Sequence, residues 1–472
     1  MVNRQGQSGD ILNTIFKYHS PCKGPFWTLG RLACVLATLA GAVGPARADG
    51  PGVPGAQVFY SGVQSLEDTI ASHSQDPRPQ STNGAFPIAD WLLYGGLGWG
   101  AACGVNLNQS PTNQQQACGP QFTPSVVAEH NTGIQRTLLY GVGDIRWYPA
   151  LNQVQVVDTK AGLVHVWEIE RDLIFRVQAQ GMENQQYSGF AANLLPTNAF
   201  VTSPVKYTQG YASTSIQKEF GSFFAAIGGS TTGTAYQNIQ DSFGNTIDET
   251  FQNGTVSTLN GRFGYHLSAV IYTYIETSGN WQRYNESLLN SEGYRVVAGI
   301  GSGRISLFNG ELYAGYATQR FDDPLAGTTT VPVFGGRLSW FPTRFLTFTF
   351  NADRTFGTSD FNPRGLGLVP VPIVPGGGLT PGSVTTSTTA RLSGNWNFSD
   401  KLVFTASVGD QQQDYLTSSR RDNFVALSGG VTYQILQGLG VNVTYTHGQL
   451  FSNFPGASFT TDFISFGGSS HF

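Results

Sequence analysis

The sequence predicts an all-β protein, a transmembrane, antiparallel, up-and-down outer-membrane β-barrel of about 18 strands (roughly 16–18). Charged residues make up only 12% of the chain, aromatic residues also make up 12%, and glycines number 59. This composition suits a wall that faces lipid. Bulky apolar and small polar residues alternate with a period of two in successive segments, which is typical of strands with unlike faces. Short and long connections also alternate, which predicts short periplasmic turns and longer extracellular loops.

Residues 1–48 are predicted to be a cleaved signal peptide. Four basic residues precede an apolar run at 32–43, which is followed by Ala46-Arg47-Ala48, a small-residue cleavage pattern. The alternative is an anchoring helix, but a membrane span needs about 20 apolar residues and this run is shorter. We therefore expect export and a location in the bacterial outer membrane.

The next segment, residues 49–87, is rich in proline, glycine and serine and carries no strand pattern. We interpret it as a periplasmic lead-in or as a partial plug of the barrel, and the sequence leaves both interpretations open. The strand pattern begins after this segment, so residues 88–472 are predicted to form the barrel.

The segment 333–354 shows the alternation most clearly. Its second half alternates apolar residues, predicted to face lipid, with polar residues, predicted to face the lumen. The predicted lipid-facing residues are Leu346, Phe348 and Phe350. The predicted lumen-facing residues are Thr347, Thr349, Asn351 and Asp353, together with Glu311 from an earlier strand.

Short connections are expected on the periplasmic side, and one of them is Phe341-Pro342-Thr343. Charged residues cluster near these turns, as expected if a basic residue at mid-depth on the lipid face costs roughly 2–4 kcal/mol. Aromatic residues near the same turns predict a periplasmic girdle, with ordinary core packing as the alternative. The aromatic residues concerned are Phe220, Phe223, Phe224, Trp340, Phe341, Phe345, Trp396 and Phe398.

Cys103 and Cys118 are the two cysteines that lie outside the predicted signal peptide. An even pair in an exported protein predicts a disulfide, because oxidising compartments favour disulfides. The alternative is a pair of free thiols, which the same argument disfavours. We therefore expect a bond across the short polar loop between them.

The sequence ends on Phe472, and Ile464 and Phe466 share its position in the alternation. Outer-membrane proteins commonly end on an aromatic residue in an alternating strand that the barrel-assembly machinery recognises. We therefore predict that these three residues form the assembly signal. Gly468 and Ser470 occupy the same face, where bulkier residues would be expected.

The long loop at 357–382 contains a run dense in proline and glycine, which excludes regular structure. It is predicted either to fold into the lumen and narrow it or to cap the barrel on the outside. The sequence does not decide between these two roles.

No residue pattern predicts catalysis, a metal or a cofactor. The histidines are scattered, and none has the spacing of metal ligands. The formal net charge is −4, and removal of a basic signal peptide would make it more negative, which argues against a nucleic-acid partner. We therefore expect a protein that is not an enzyme and has no cofactor.

Two stretches resemble a known family. Residues 293–323, GYRVVAGIGSGRISLFNGELYAGYATQRFDD, and residues 334–356, FGGRLSWFPTRFLTFTFNADRTF, are similar to the proteobacterial outer-membrane proteins called putative β-barrel porins. The likeness extends from residue 90 to residue 472. It implies an outer-membrane barrel without an established catalytic motif. Some members of that family occur with genes for exopolysaccharide or capsule production.

These observations predict a passive channel for small hydrophilic solutes, because a barrel of about 18 strands is wide enough for an aqueous lumen. The resemblance implies an alternative, the export or anchoring of a surface polysaccharide. A further alternative is a non-conducting structural or adhesive barrel with a plugged lumen. The expected partners are outer-membrane lipid and lipopolysaccharide, the assembly machinery and, if the barrel transports, sugars or polysaccharide.

Overall fold

The structure is a computed structural model that describes residues 86–107, 114–151, 154–186, 205–240, 243–244, 246–248, 250, 253–305, 307–324, 327–358, 384–416, 419–436, 438–453 and 458–471. The predicted signal peptide, nearly all of the segment 49–87, most of the loop 357–382 and Phe472 lie outside the described residues. Within those ranges, no helix combines the length and hydropathy needed to cross a membrane.

Eighteen strands form one closed antiparallel barrel, in which each strand pairs with the next and the last pairs with the first. The strands are β1 Trp91–Val105, β2 Gln116–Asn131, β3 Gln135–Tyr148, β4 Val154–Glu170, β5 Leu173–Gln186, β6 Val205–Phe220, β7 Phe223–Tyr236, β8 Gly254–His266, β9 Ile271–Tyr284, β10 Ser291–Ile305, β11 Phe308–Phe321, β12 Thr328–Thr343, β13 Leu346–Thr358, β14 Val384–Ser399, β15 Leu402–Tyr415, β16 Arg421–Leu436, β17 Leu439–Ser452 and β18 Phe459–His471. The predicted fold class and strand number are confirmed.

The barrel closes where β18 pairs with β1 between Gly96 and Val105. The short strand Phe86–Ile88 is followed by a tight turn and pairs with the start of β1. Because β2 pairs with β1 along its whole length on the other side, this segment must lie on the β18 side. It therefore takes the place of β18 beside the first residues of β1, which β18 does not reach.

Connections at one end of the barrel contain two to four residues, at 132–134, 171–172, 221–222, 267–270, 306–307, 344–345, 400–401 and 437–438. Connections at the other end contain five to 25 residues. Two of these long connections hold short elements, a 3-10 helix at Ser287–Leu289 and a two-stranded pairing of Ile239–Gln240 with Thr246–Ile247. The predicted sorting of short and long connections is confirmed.

The turn predicted at Phe341-Pro342-Thr343 is wrong by a few residues. Strand β12 continues through Thr343, which pairs with Leu346, and the turn itself consists of Arg344 and Phe345. The register between β12 and β13 shifts between Trp340 and Thr343. Such an irregularity accommodates proline inside a strand, because the proline nitrogen has no hydrogen to donate.

The two faces of the wall differ in chemistry. Large apolar side chains on the outer face are exposed, among them Leu97, Leu139, Ile227, Ile275, Leu312, Phe350, Leu392 and Val443. Buried polar side chains dominate much of the inner face, among them Gln121, Asp144, Gln180, Asn260, Glu276, Gln319, Thr349 and Gln411. The inner face of β1–β4 is partly apolar, with a cluster formed by Tyr94, Val127, Leu138, Tyr140, Val142 and Val164. Buried apolar side chains also lie among the polar groups of the later strands, for example Val297, Val331 and Val333. The inner face is therefore mixed in character.

Most of the aromatic residues predicted for the girdle are exposed near the short turns, namely Phe220, Phe223, Trp340, Phe345, Trp396 and Phe398. Phe224 and Phe341 are buried on the inner face, so their assignment to the girdle is wrong. Each of them directly follows an outward aromatic residue in the sequence. Because neighbours on one strand point to opposite faces, only one member of each pair can face lipid.

Glycines on the inner face leave room for aromatic rings from the preceding strand. Tyr272 and Tyr274 of β9 lie over Gly301 and Gly299 of β10, and a Cβ atom at either glycine would collide with the ring. The same arrangement recurs for Tyr313 with Gly335, Tyr140 with Gly162, and Phe224 with Gly264. Each ring covers bare backbone and links two adjacent strands.

Candidate functional site: the inner wall

The inner face of β8–β13 carries a group of arginines, carboxylates and tyrosines, here termed the inner-wall cluster. Its members are Arg262, Tyr272, Tyr274, Glu276, Arg295, Glu311, Tyr313 and Asp353. Every second residue of a strand points to the same face. All members of the cluster occupy the inward-facing positions of their strands.

Arg262 joins two carboxylates that belong to different strands. Its Nη2 atom lies 2.6 Å from Oε2 of Glu276, and its Nη1 atom lies 3.1 Å from Oε2 of Glu311. The side chains of Arg262 and Glu276 are 1% and 2% exposed, whereas that of Glu311 is 13% exposed. A buried guanidinium with two carboxylate partners is strongly held, because each ion would be costly to bury alone.

Two tyrosines complete the surroundings of Glu311. The hydroxyl of Tyr272 donates a hydrogen bond to Oε2 of Glu311 at 2.9 Å, and the hydroxyl of Tyr274 donates to Oε1 at 2.5 Å. Both rings start on β9 and cross β10 at its glycines to reach β11. Because the glycines of β10 have no side chain, the tyrosines of β9 can pass over this strand and reach the carboxylate on β11.

The arrangement repeats two strands further along. Tyr313 of β11 crosses Gly335 of β12 and donates a hydrogen bond to Asp353 of β13. The guanidinium of Arg295 lies 4.7 Å from the centre of the Tyr313 ring. In the first unit, Arg262 lies 3.8 Å from the ring centre of Tyr274. Each unit thus contains a cation over a tyrosine, a glycine beneath the ring, and an acid at the hydroxyl.

Glu276 connects the two units. Its Oε1 atom lies 3.8 Å from Nη1 of Arg295, while its other oxygen accepts from Arg262. The cluster therefore contains two arginines and three carboxylates, which lie on five of the six strands from β8 to β13. It braces this half of the barrel. Arg337 of β12 lies directly opposite Glu311 on the same face, so the described inner face of β8–β13 carries three arginines and three carboxylates.

A second group of charges lies on the inner face of β2–β4. Arg146 contacts Asp144 at 3.2 Å and Asp158 at 3.4 Å, and Gln121 donates a hydrogen bond to Asp144 at 3.1 Å. These side chains are almost completely buried. Their burial and mutual pairing indicate a role in holding these strands together.

The predicted lumen-facing and lipid-facing residues separate in the structure. Thr349 is 1% exposed and its neighbour Phe350 is 41% exposed. Phe348 stacks on Trp340, with ring centres 5.4 Å apart, in the exposed aromatic group near the short turn. Leu346 and Phe350 share the strand face of Phe348, whereas Thr347 and Asn351 share that of Thr349 and Asp353. Of the predicted lumen residues, the structure brings Glu311 and Asp353 into the inner-wall cluster.

The sequence pattern alone did not single out the tyrosines, Glu276 or Arg295. The available signal was strand parity, since Tyr272, Tyr274 and Glu276 alternate along β9. Parity identifies a face but not the partner on the next strand. The glycines at the crossing points were visible in the sequence, yet their pairing with the tyrosines requires the strand register.

Cys103 and Cys118 lie directly opposite each other on β1 and β2 and form a disulfide. Ile464 and Phe466 of β18 are 40% and 52% exposed. Gly468, which departs from the expected bulky pattern, lies beneath the indole of Trp99 from β1. A side chain of the neighbouring strand thus covers the outer surface that a bulky residue at 468 would occupy.

One charged group with a shifted pKa lies at the short-turn end. The ammonium of Lys218 donates to Asp172 at 3.0 Å and to Glu170 at 2.6 Å. The hydrogen bond from Lys218 holds the pKa of the Asp172 carboxyl below its usual value. These contacts fasten the turn between β4 and β5 to the end of β6.

The described residues contain no group of three or more histidine, cysteine, aspartate or glutamate side chains placed to hold a metal ion. What the inner-wall cluster offers is charge and hydrogen bonding. Glu311 and Asp353 are the partly exposed carboxylates of the cluster, whereas Glu276 is buried. The arrangement can attract and orient a hydrated ion or a polar solute beside the wall.

A closed antiparallel barrel with an apolar exposed outer face, a largely polar inner face and aromatic residues at its short turns defines an outer-membrane β-barrel. The chain belongs to the family described as "Putative beta-barrel porin 2", which matches residues 86–368 and 377–468. The family resemblance inferred from the sequence is confirmed.

Solved structures of other outer-membrane proteins are similar to this chain. A ferric enterobactin receptor mutant from Pseudomonas aeruginosa shares 9% identity, with 80% of each chain covered and a TM-score of 0.40. The outer membrane protein opdK from the same organism shares 10% identity, covering 80% of this chain and 99% of that chain, with a TM-score of 0.41. The siderophore receptor PirA from Acinetobacter baumannii shares 7% identity, with 80% of each chain covered and a TM-score of 0.39. No curated protein gives a significant sequence match.

Proposed function

We propose that this outer-membrane barrel is a passive channel for small hydrophilic solutes. The observation that carries the proposal is the charged inner face of β8–β13, whose polar groups lie inside a wall that is apolar outside. Membership of a family described as porins supports it. The partly exposed carboxylate of Glu311 attracts cations to this part of the lining.

The proposal is tested with protein extracted from outer membranes and reconstituted in planar lipid bilayers. We expect discrete conductance steps. Correct folding is checked by the change in gel mobility between heated and unheated samples. Folded protein that gives no steps under reducing or oxidising conditions contradicts the proposal and favours the non-conducting barrel.

A labelling experiment locates the conducting path. Asn351→Cys places a thiol on the inner face, and Leu312→Cys places one on the exposed outer face. Cys103 and Cys118 are bonded to each other and do not compete, and the other two cysteines, Cys22 and Cys34, lie in the predicted signal peptide. A negatively charged thiol reagent is expected to change the conductance step of Asn351→Cys and not that of Leu312→Cys. Equal effects on both variants would contradict an inner conducting path.

Ion selectivity tests the role of the cluster. Glu311→Gln removes a partly accessible negative charge from the lining, so the reversal potential in a KCl gradient is expected to shift toward lower cation preference. Asp414→Asn removes the same charge from the outer face, where Asp414 pairs with Arg421 at 2.6 Å, and serves as the control. An unchanged reversal potential in Glu311→Gln would place the ion path away from the cluster.

The polysaccharide role implied by the resemblance stays a prediction. Sugar-binding channels stack rings of the sugar on exposed aromatic faces, but Arg262 and Arg295 cover Tyr274 and Tyr313 here. The ring faces of these two tyrosines are therefore not free to stack on a sugar. Unchanged exopolysaccharide or capsule after deletion of the gene would count against it.

A further inference from the structure

The outer face carries a cationic group at the long-loop end of β9–β11. Arg283, Glu292 and Arg320 lie side by side there, here termed the rim triad. Nη2 of Arg320 lies 2.6 Å from Oε1 of Glu292, and Nη2 of Arg283 lies 3.5 Å from Oε2 of Glu292. Two guanidinium groups thus share one carboxylate, and the group has a net positive charge.

The height of the rim triad follows from the outward residues of β11. They are apolar or small from Phe308 to Tyr316, and Thr318 and Arg320 follow. Eight residues at about 3.4 Å each, on a strand tilted by about 40°, span about 21 Å, close to the roughly 25 Å apolar band of such barrels. Arg320 therefore lies about 10 Å beyond Tyr316, at the level of lipid headgroups.

Exposed aromatic side chains lie on the membrane side of the triad. Trp281, Tyr294 and Tyr316 are outward-facing neighbours on the same three strands, and all of them are exposed. Aromatic residues of this kind mark the boundary between acyl chains and headgroups. A cationic surface at headgroup level thus adjoins an aromatic, apolar surface on its membrane side. These two surfaces match the charged headgroup and the acyl chains of an anionic lipid.

The guanidinium groups are held and remain accessible. The side chains of Arg283 and Arg320 are 53% and 66% exposed. Nη1 of Arg283 also donates to the backbone carbonyls of Gln282 at 3.0 Å and Ser291 at 3.2 Å, which limits its motion. Planar guanidinium groups bind phosphate through paired hydrogen bonds.

We propose that the rim triad is a docking site for the phosphate groups of a phosphorylated outer-leaflet glycolipid, that is, of lipopolysaccharide. The site is independent of whether the lumen conducts. Arg421 provides a comparison on another part of the wall, since it is similarly exposed but pairs one to one with Asp414. A neutral pair has less attraction for a phosphate than two guanidinium groups that share one carboxylate.

The test compares the binding of purified lipopolysaccharide by delipidated, folded protein in detergent, measured by native mass spectrometry. The double variant Arg283→Ala/Arg320→Ala is expected to lose about tenfold or more in affinity, because two charge-assisted contacts are removed. Arg421→Ala is the matched control and is expected to bind within about twofold of the parent protein. Equal losses in the double variant and the control would overturn the proposal.

Two further arms identify the ligand group. Lipopolysaccharide stripped of its phosphates is expected to bind parent protein and double variant equally weakly, and tight binding of the stripped lipid to the parent would overturn the proposal. If the double variant fails to show the gel-mobility shift of a folded barrel, the single variant Arg320→Gln replaces it. Its affinity is expected to fall about threefold or more, and an unchanged affinity would again overturn the proposal.

Discussion

Arg262 is the residue on which the inner-wall cluster depends. It pairs with Glu276 and Glu311 and lies against Tyr274. Its removal would take away the cation that lies between Glu276 and Glu311, and Glu276 would keep only the more distant contact with Arg295, at 3.8 Å. A buried residue of this kind contributes through the charges that it neutralises.

We expect Arg262→Ala to lower the free energy of unfolding by about 3–5 kcal/mol, because an unpaired buried charge is costly. The exposed Arg421→Ala is expected to cost at most about 1 kcal/mol. Both are measured by urea unfolding of the protein in lipid vesicles. Similar losses for the two variants would mean that the cluster does not brace the wall.

The pKa of the Asp172 carboxyl is expected to depend on its hydrogen bond with Lys218. The pKa of Asp172 is lowered because Lys218 donates a hydrogen bond to it. A carboxyl whose pKa is lowered in the folded state stabilises the fold at pH values above its usual pKa of about 3.9. This stabilisation is lost as the pH falls through the lowered pKa. We expect Lys218→Met to return the Asp172 pKa toward its usual value in an NMR titration, and an unchanged pKa would rule out this cause.

At the scale of single elements, the strands are joined by more than backbone hydrogen bonds. A tyrosine on one strand crosses a glycine on the next and reaches an acid on the third, as in Tyr274, Gly299 and Glu311. Three neighbouring strands are therefore linked in one step. The glycine is needed because a side chain would occupy the space of the ring.

Gly299→Ala is expected to destabilise the barrel by about 1–3 kcal/mol, since the added methyl group collides with the Tyr274 ring. Gly261→Ala is the matched control, because no atom lies within 4 Å of its added Cβ atom. Urea unfolding midpoints in lipid vesicles measure both. Equal midpoints would show that the ring moves aside without cost.

Strand β13 tests the assignment of the two faces. Phe350→Arg places a charge on the exposed outer face. It is expected to make the free energy of membrane insertion less favourable by up to about 2–4 kcal/mol, which is the cost of such a charge near the middle of the bilayer. Thr347→Arg places the same charge on the inner face and is expected to leave insertion unchanged. The yield of protein with a heat-dependent gel shift in outer membranes is the measurement. The reverse order of yields would invert the register of the strand.

At the scale of the whole molecule, the barrel is secured around the position where its ends meet. Gly100 and Gly467 approach closely across β1 and β18, and Trp99 covers Gly468 on the outer face. The disulfide between Cys103 and Cys118 joins β1 to β2 beside this position. The first strand is thus bonded to both neighbours near the long-loop end.

Loss of the disulfide is expected to affect stability and not conduction. Cys103→Ser/Cys118→Ser removes a bond that closes a loop of 15 residues, which corresponds to about 3 kcal/mol in the chain-entropy view. We expect a lower urea midpoint and an unchanged conductance step. A changed conductance step would mean that the loop between the two cysteines controls the lumen.

Local pattern was sufficient for much of the architecture. The period of two along β13, the sorted connections and the low charge content each depend on residues close together in the chain, and they predicted a barrel of about 18 strands. Adjacent aromatic residues marked the limit of this reasoning. Phe223 and Phe224 were assigned together because both lie beside a short turn, although strand geometry places them on opposite faces.

The sequence by itself thus determined the barrel, its number of strands and the faces of single strands, because these follow from alternation and loop length. Only the tertiary structure decided which inward residues meet. Arg262 and Glu311 are 49 positions apart, and Tyr313 and Asp353 are 40 positions apart. Their contacts depend on the register of several strands and on glycines at the crossing points, and a shift of one residue in any pairing would abolish them.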